Sequence, residues 1–362
     1  MIDLTPEEAA GALTWEAFVS SWRGGQWLAD VPVAAGSSVT WSTRREVPGS
    51  LDLIVPRQTT VGGRLFDWLP DSDRHPLSHH GQVLYVSLRV TTAVSKRSWT
   101  LPYGRFGISK WEQAEGEVRV SGVSLMQRVV DDRLPSPTPT RTGGTYASEV
   151  RRLVPASLGV AVDPGLEDRL VPAMSWDEDR MAAILEVAKA WPARVREDMD
   201  GIVRFLPMLG EPTSPDLYLA DLGVTGTVAS AYLSGSREGI YNAVVARGES
   251  APDEPAIQAE ARQATGPYDV DTYGTVRRFF ASPLIHAHDQ AASAAESILA
   301  DSILPATTRP VVCAPDPRIA LDQLVQVDGD GRRAWGWVSG FTMPLTADSD
   351  MRVDTETVWT EA

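Results

Sequence analysis

The chain has 362 residues, enough for two or three compact units that each bury an apolar core. Its 48 Asp and Glu residues outnumber its 33 Lys and Arg residues, and the resulting net charge of −15 argues against a surface that grips nucleic-acid phosphates. An acidic wall would suit a conduit, because like charge keeps passing DNA from sticking. We therefore expect no specific nucleic-acid binding.

Cysteine and apolar-run content restrict the class further. Cys313 is the single cysteine, which excludes an internal disulfide framework, and its apolar neighbours predict a buried structural thiol. Residues 1–8 lack the basic-then-apolar order of a signal peptide, and no run approaches about 18 uninterrupted apolar residues. We expect synthesis in the cytosol and no membrane insertion.

Residues 1–125 predict a first β-rich unit, because short apolar-alternating runs are separated by Gly, Pro and Ser. The predicted strands are 38–44, 50–55, 82–90, 104–108 and 117–123. Within residues 10–28 the aromatic residues are irregularly spaced, which leaves two interpretations open: an apolar arm that reaches a neighbouring subunit, or an ordinary first strand or helix. These aromatic residues are Trp15, Phe18, Trp22 and Trp27.

Residues 126–222 predict an α+β insert. Thr145 can cap a short helix that ends at Leu153, and Ser175 with Glu178 fits the capping box of a second helix. The apolar face of this second helix follows helical spacing through Met181, Ile184, Leu185, Ala188 and Trp191. Residues 193–197 and 201–206 predict a hairpin, in which Asp200 and Gly201 favour a type I′ turn.

Residues 223–362 predict a second β-rich unit with one packed helix, from Asp289 as the cap through Leu304. A hairpin turn is predicted at residues 328–331. The strands of this unit are predicted at 225–232, 240–246, 311–314, 323–327, 334–338 and 351–358. The predicted fold class is mainly β with an α+β insert.

Several segments also carry a family resemblance. They are 103–108 (Tyr-Gly-Arg-Phe-Gly-Ile), 120–124, 128–133, 198–207, 239–248 (Gly-Ile-Tyr-Asn-Ala-Val-Val-Ala-Arg-Gly), 279–284 and 313–327. In order and spacing, over about residues 100–330, they resemble the hub-type minor tail proteins of long-tailed phages that infect actinobacteria, which are related to the phage baseplate hub family.

The resemblance implies two tube-forming domains of barrel or sandwich type, at 1–125 and 223–362, with a smaller α+β domain at 126–222. It further implies a homotrimer whose six tube domains mimic a six-fold ring. Such a hub lies at the tail tip of the virion and closes the tail tube. It contacts a distal tail protein or tail-tube ring, the tape-measure protein and a central fibre or other tail-tip protein, and lets DNA pass through its lumen.

No motif places a residue for chemistry, so we predict no catalytic residue, no cofactor and no metal ligand. His286 and His288 form an i, i+2 pair, but a zinc site requires three or four ligands. Asp198 and Asp200 resemble the start of a calcium loop, yet Leu209 stands where the loop needs its Glu. Residues 328–331 fail the same test at Ser339. The sequence has no Gly-x-Ser-x-Gly nucleophile elbow.

Two other functions remain as alternatives. A tail-associated peptidoglycan hydrolase would need an added domain, but only about 30 residues follow the resemblance, and a small domain needs roughly 50. A receptor-binding tail protein would expose Trp-rich loops. Trp335 and Trp337 share one side of a predicted strand, where packing is favoured over sugar binding. Candidate interface loops are 70–81, which contains His75, His79 and His80, 135–144 and 249–265.

Overall fold

A computed structural model describes residues 13–210, 213–220, 226–232, 234–237, 239–248, 256–303, 307–329 and 331–361. Within these ranges strands far outnumber helices, so the predicted fold class, mainly β with an α+β component, is confirmed.

The strands from the first third of the chain form the first β region. They are β1 (Leu13–Arg23), β2 (Gln26–Val31), β3 (Ser38–Ser42), β4 (Gly49–Pro56), β5 (Gln58–Val61), β6 (Arg64–Asp67), β7 (Gln82–Thr92), β8 (Ser98–Ala114) and β9 (Glu117–Ser124).

The middle of the chain forms what we call the insert. Its elements are α1 (Gln127–Asp131), β10 (Thr138–Pro139), α2 (Tyr146–Leu153), β11 (Gly159–Val162), β12 (Ser175–Trp176), α3 (Arg180–Ala190), β13 (Ala193–Glu197) and β14 (Ile202–Pro207).

The remaining elements form the second β region and a small lobe within it. The second β region contains β15 (Leu217–Ala220), β16 (Val228–Ala231), β17 (Ser234–Gly235), β21 (Thr307–Cys313), β22 (Leu324–Gly329), β23 (Arg332–Pro344) and β24 (Met351–Glu361). The lobe contains β18 (Ala243–Arg247), β19 (Gln258–Arg262), α4 (Val270–Tyr273), β20 (Arg277–Ala281) and α5 (His288–Ile303).

Both β regions belong to one large sheet. Its strand order is β16-β21-β24-β23-β3-β4-β9-β8-β7-β1-β2, and the regions meet where β23 pairs antiparallel with β3. One hydrophobic core lies beneath both regions, and the rings of Tyr103 and Phe341 cross the junction with centroids 6.0 Å apart. The two regions are therefore continuous in hydrogen bonding and in packing.

The insert has its own core, and two buried carboxylates hold it in place. Glu149 accepts hydrogen bonds from Arg152 and from the Trp176 indole. Burial acts to raise the pKa of Glu149, but these donors together lower it. Glu197 on β13 accepts from the Leu125 and Met126 amides, both at 2.8 Å, and so ties the insert to the end of β9. Burial raises the pKa of Glu197 against the effect of these hydrogen bonds.

Local predictions for the insert fare unevenly. The helix capped by Thr145 is confirmed over Tyr146–Leu153, and the hairpin is confirmed as β13 with β14. The capping box at Ser175 is wrong, because Asp179 caps α3 through the Ala182 amide. Ser175 instead begins β12, which pairs with β10 and places Trp176 in the core.

The turn of the hairpin also differs from the prediction. A type I′ turn needs positive φ at both central residues, whereas Gly201 alone has positive φ there, at 77°. Asp198 Oδ1 accepts from the amides of Asp200 and Ile202, at 3.0 and 2.9 Å. This is the three-residue loop in which a left-handed Gly follows a turn.

The lobe is the least anticipated part. Helix α5 begins at His288, one residue before the predicted cap, and it packs on the three-stranded sheet β19-β18-β20 with a separate core. The predicted last residue, Leu304, lies outside the described residues. Residues 258–262, predicted as part of an interface loop, form β19 instead, while residues 249–255 of that loop lie outside the described residues.

Candidate assembly surface

The two faces of the large sheet differ sharply in chemistry around the junction. One face is apolar and fully buried, because alternate side chains of adjacent strands point into the shared core. Its central residues are Val39, Trp41, Leu51, Leu53, Val120, Phe341 and Met343. Paired positions on the other face carry mostly hydroxyl side chains. We call this the hydroxyl face and define it by Ser38, Thr40, Ser42, Ser50, Asp52, Ser121 and Thr342.

Strand register sets the hydroxyl face and joins the two β regions. Ser38 lies opposite Asp52, and Asp52 lies opposite Ser121, so one row crosses three strands of the first β region. At the junction, Thr40 pairs with Thr342, and their hydroxyl oxygens are 3.0 Å apart. The hydroxyl face therefore continues from one region into the other without an apolar seam.

The charges that flank the hydroxyl face are mostly paired. On β8, Lys110 contacts Glu112 at 2.5 Å, and on β24 Arg352 donates to Asp354 at 3.2 Å. Exposed pairs of this kind add little stability, but they leave little net charge along the strands. Apart from Asp52, the acidity of the chain is thus not concentrated on this face, so the face does not form an acidic conduit wall.

One end of the sheet has an open edge. Strand β1 pairs with β7 along its whole length, but β2 covers β1 only from Val19 onward. Among the described residues, none pairs with the outer edge from Leu13 to Phe18. A groove of about 670 Å³ runs beside this edge, bounded by residues 30–33 and 345–347. Phe18 borders the groove with 37% of its surface exposed. We call it the edge groove.

The opposite end is closed by side-chain contacts. Within the described ranges β16 has no partner strand beyond β21, but Ala231 is buried and its carbonyl shares the Arg309 guanidinium with the Val327 carbonyl of β22. Unpaired strand edges are templates for pairing with another chain, and proteins that do not use them usually shield them. The unpaired edge of β1 is therefore the edge of the sheet that is suited to a neighbouring copy.

The start of the chain and loop 70–81 can now be placed. Leu13–Arg23 forms a paired strand, as the ordinary first-strand interpretation predicts, while residues 10–12 lie outside the described residues. Loop 70–81 folds back on its own sheet, since Pro76 O accepts from Ser21 Oγ at 2.6 Å and Gln82 donates to His75 O. His75 to Ser78 are buried, so the centre of this loop cannot contact another subunit.

The other candidate residues are accounted for within the chain. Cys313 is buried as predicted, and burial raises its pKa to about 12. His286 and His288 are exposed, and in the described part of the chain no cluster of three or more His, Cys, Asp or Glu side chains is arranged to hold a metal. Trp335 donates to Gln326 Oε1 at 3.0 Å, which fits packing rather than sugar binding. No helix among the described residues is long and apolar enough to span a membrane.

Comparison with known proteins places the fold. No family model matches the chain, and no curated protein matches it in sequence. A tail protein from Neisseria meningitidis MC58 is similar in structure, with a TM-score of 0.63 at 13% identity, over 94% of this chain and 96% of that one.

Two prophage proteins are similar over nearly their full lengths. For the 43 kDa tail protein of prophage MuSo2 from Shewanella oneidensis the TM-score is 0.62 at 13% identity, covering 94% of this chain and 98% of that one. For a prophage tail protein from Listeria monocytogenes EGD-e it is 0.55 at 8% identity, covering 95% of each. The fold is thus that of phage tail proteins, and the similarity extends well beyond residues 100–330.

Proposed function

We propose that the protein is a structural subunit of a phage tail tip, a hub that closes the end of the tail tube and forms part of the channel for DNA and the tape-measure protein. The observation that carries this proposal is the single sheet built from both β regions, with one continuous hydroxyl face and an open edge along β1. Identical copies that contact each other through such an edge form a closed ring when a rotation axis relates them, and a three-fold axis gives the proposed trimer.

The remaining parts of the proposal rest on this geometry for the channel and on the family resemblance for the virion, the host and the partners. The hydroxyl face lines the channel, where small hydroxyl side chains and the carboxylate of Asp52 offer little to retain a polyanion. The tube domains are 1–125 and 223–362, and 126–222 is the peripheral α+β domain. The protein has no enzymatic activity, belongs to a siphophage virion with an actinobacterial host, and contacts a distal tail protein or tail-tube ring and a central fibre.

Negative-stain imaging of the purified protein tests this proposal. We expect ring-shaped particles with a central channel and three-fold symmetry. Compact particles without a channel, at all concentrations that the technique allows, would contradict the hub and would favour a peripheral or receptor-binding role in the tail.

A further inference from the structure

A cleft of about 680 Å³ lies where the insert, the lobe and the second β region meet. Its walls come from α3 and β13 of the insert, β20 and α5 of the lobe, β23 with Asp322 of the second β region, and Thr43 with Arg44 of the first. This volume is within the range of about 300–1,000 Å³ found for ligand-binding clefts. The proposed hub function makes no use of it.

The charge of the cleft is opposite to that of the chain. Five cationic residues line it against three anionic ones, a local balance of +2 in a chain of net charge −15. The cationic residues are Arg44, Lys189, Arg194, Arg196 and Arg278, and the anionic residues are Asp301, Asp322 and Glu356. A partner favoured by this balance carries negative charge.

Some of these charges are already engaged. Arg194 and Arg196 both contact the Asp322 carboxylate, the latter through Nε at 2.8 Å. Arg44 donates to Glu356 at 2.9 Å. Lys189 is exposed on the last turn of α3. Arg278 donates to the Ser302 hydroxyl at 3.4 Å and lies 5.6 Å from the Tyr241 ring centroid, and it forms no ion pair with a carboxylate of the described residues. Lys189 and Arg278 are thus the cations best placed to meet an incoming carboxylate.

The cleft also borders the outer edges of two strands. Three consecutive residues of β20 and four of β13 line the cleft. Because successive side chains of a strand point to opposite faces of its sheet, a run of consecutive lining residues places the edge of the strand, rather than one face, beside the cleft. Each strand is outermost in its small sheet. The β13 edge is partly blocked, since the Val195 carbonyl accepts from Arg196 Nη1 at 2.9 Å. The β20 edge is therefore the better site for an added strand.

An apolar contact lies beside that edge. Phe279 of β20 lines the cleft and has 59% of its surface exposed, with the Arg247 guanidinium 4.9 Å from its ring centroid. Trp337 forms part of the facing wall. A peptide that adds to a sheet edge gains affinity from main-chain hydrogen bonds and specificity from alternate side chains.

We propose that this cleft binds an extended acidic segment of a partner protein, which adds to the edge of β20. Its carboxylates meet Lys189 and Arg278, and an alternate apolar side chain packs against Phe279. Because the cleft touches four parts of the chain, such a segment fastens the lobe and the insert to the sheet from outside.

A selection from a random twelve-residue peptide library on the full-length protein tests this inference. We expect enrichment of peptides that alternate acidic and apolar residues. By fluorescence polarisation, the enriched peptides should bind the K189E/R278E double variant more weakly by roughly ten-fold or more. The matched control R64E/R74E changes two exposed arginines of the first β region and should bind like the wild type.

Several results would overturn the inference. They are failure to enrich any peptide, enrichment of peptides without acidic residues, equal binding by the K189E/R278E variant, and displacement of the peptide by millimolar inorganic phosphate, which would indicate a simple anion site. If a thermal melt shows that K189E/R278E is unfolded, the K189Q/R278Q variant replaces it with the same expected loss.

Discussion

The first and second β regions share one sheet, yet different side chains hold them together. In the first, the fully buried Trp41 fills the space left by glycines, and a Cβ on Gly49 or Gly104 would come within 2.9–3.0 Å of its indole. In the second, the 1% exposed Arg309 donates to the carbonyls of Ala231, Val327 and Gly329. Shape complementarity fixes one half of the sheet and a polar clamp fixes the other.

The difference has a physical consequence for how each half fails. Replacing a packed aromatic residue removes buried apolar area and leaves a cavity. The resulting loss of folding stability depends on how far the surrounding side chains move in to fill that cavity. Replacing a buried arginine leaves backbone carbonyl oxygens without a hydrogen-bond donor. The resulting loss of folding stability depends on whether water can reach those oxygens. The following variants separate the two cases.

The largest effect is expected for Trp41→Ala. The indole is fully buried and donates to Tyr103 O at 3.3 Å, so we expect a loss of about 3–5 kcal/mol in the free energy of unfolding. Urea denaturation measures it. Trp27→Ala, at a side chain 54% exposed, is the control and should change stability by less than about 0.5 kcal/mol. Equal losses for the two variants would contradict the packing account.

Arg309→Met should follow. The side chain is similar in length, but three backbone carbonyls lose their donor, and we expect destabilisation by about 3 kcal/mol in the same measurement. Arg64→Met, on the exposed β5–β6 hairpin, is the matched control and should have little effect. A neutral result for Arg309→Met would show that packing alone holds the second β region.

A smaller effect tests the junction between the halves. Thr40→Val and Thr342→Val each remove one hydroxyl of the pair that spans β3 and β23. A double-mutant cycle should give a coupling energy of about 0.5–1 kcal/mol. The Thr91→Val and Ser98→Ala pair, within the first β region alone, is the comparison. If the effects of the two junction variants simply add, the hydroxyl pair does not contribute to joining the regions.

The smallest effect concerns Cys313. Its pKa is raised by burial from 9.0 to about 12, so its contribution to stability is complete below about pH 9 and is lost as the pH rises toward 12. At pH 8 a thiol reagent should modify it only as fast as the protein unfolds. Rapid labelling of the folded protein would show that the core of the second β region opens locally.

Alternation is sufficient to predict part of this sheet, and turn chemistry is sufficient to predict one hairpin in the separate sheet of the insert. Strands β3, β4, β7 and β9 follow from their period of two, and the Asp-Gly sequence locates the hairpin of the insert. The pairing of β3 with β23 was not predictable, because it joins segments about 300 residues apart and each strand matches many partners locally. Nor does the sequence indicate that one arginine is buried, since arginine is usually exposed.

The assembly surface was predictable only in kind. The resemblance implies two tube domains, but the hydroxyl face appears only when strand register aligns Ser38, Thr40 and Thr342. The capping box at Ser175 failed for a tertiary reason, because the core takes Trp176 as part of β12. The free energy that a local capping signal contributes is small compared with the free energy gained by burying an indole.

The molar mass of the protein in solution, measured by light scattering across concentration, tests the proposed trimer most directly. We expect three times the 39.3 kDa of one chain, and dissociation in Phe18→Lys, which places a charge beside the edge groove. Val61→Lys, at an exposed apolar residue away from the groove, should remain trimeric. A wild-type protein that stays monomeric at every concentration would contradict the account.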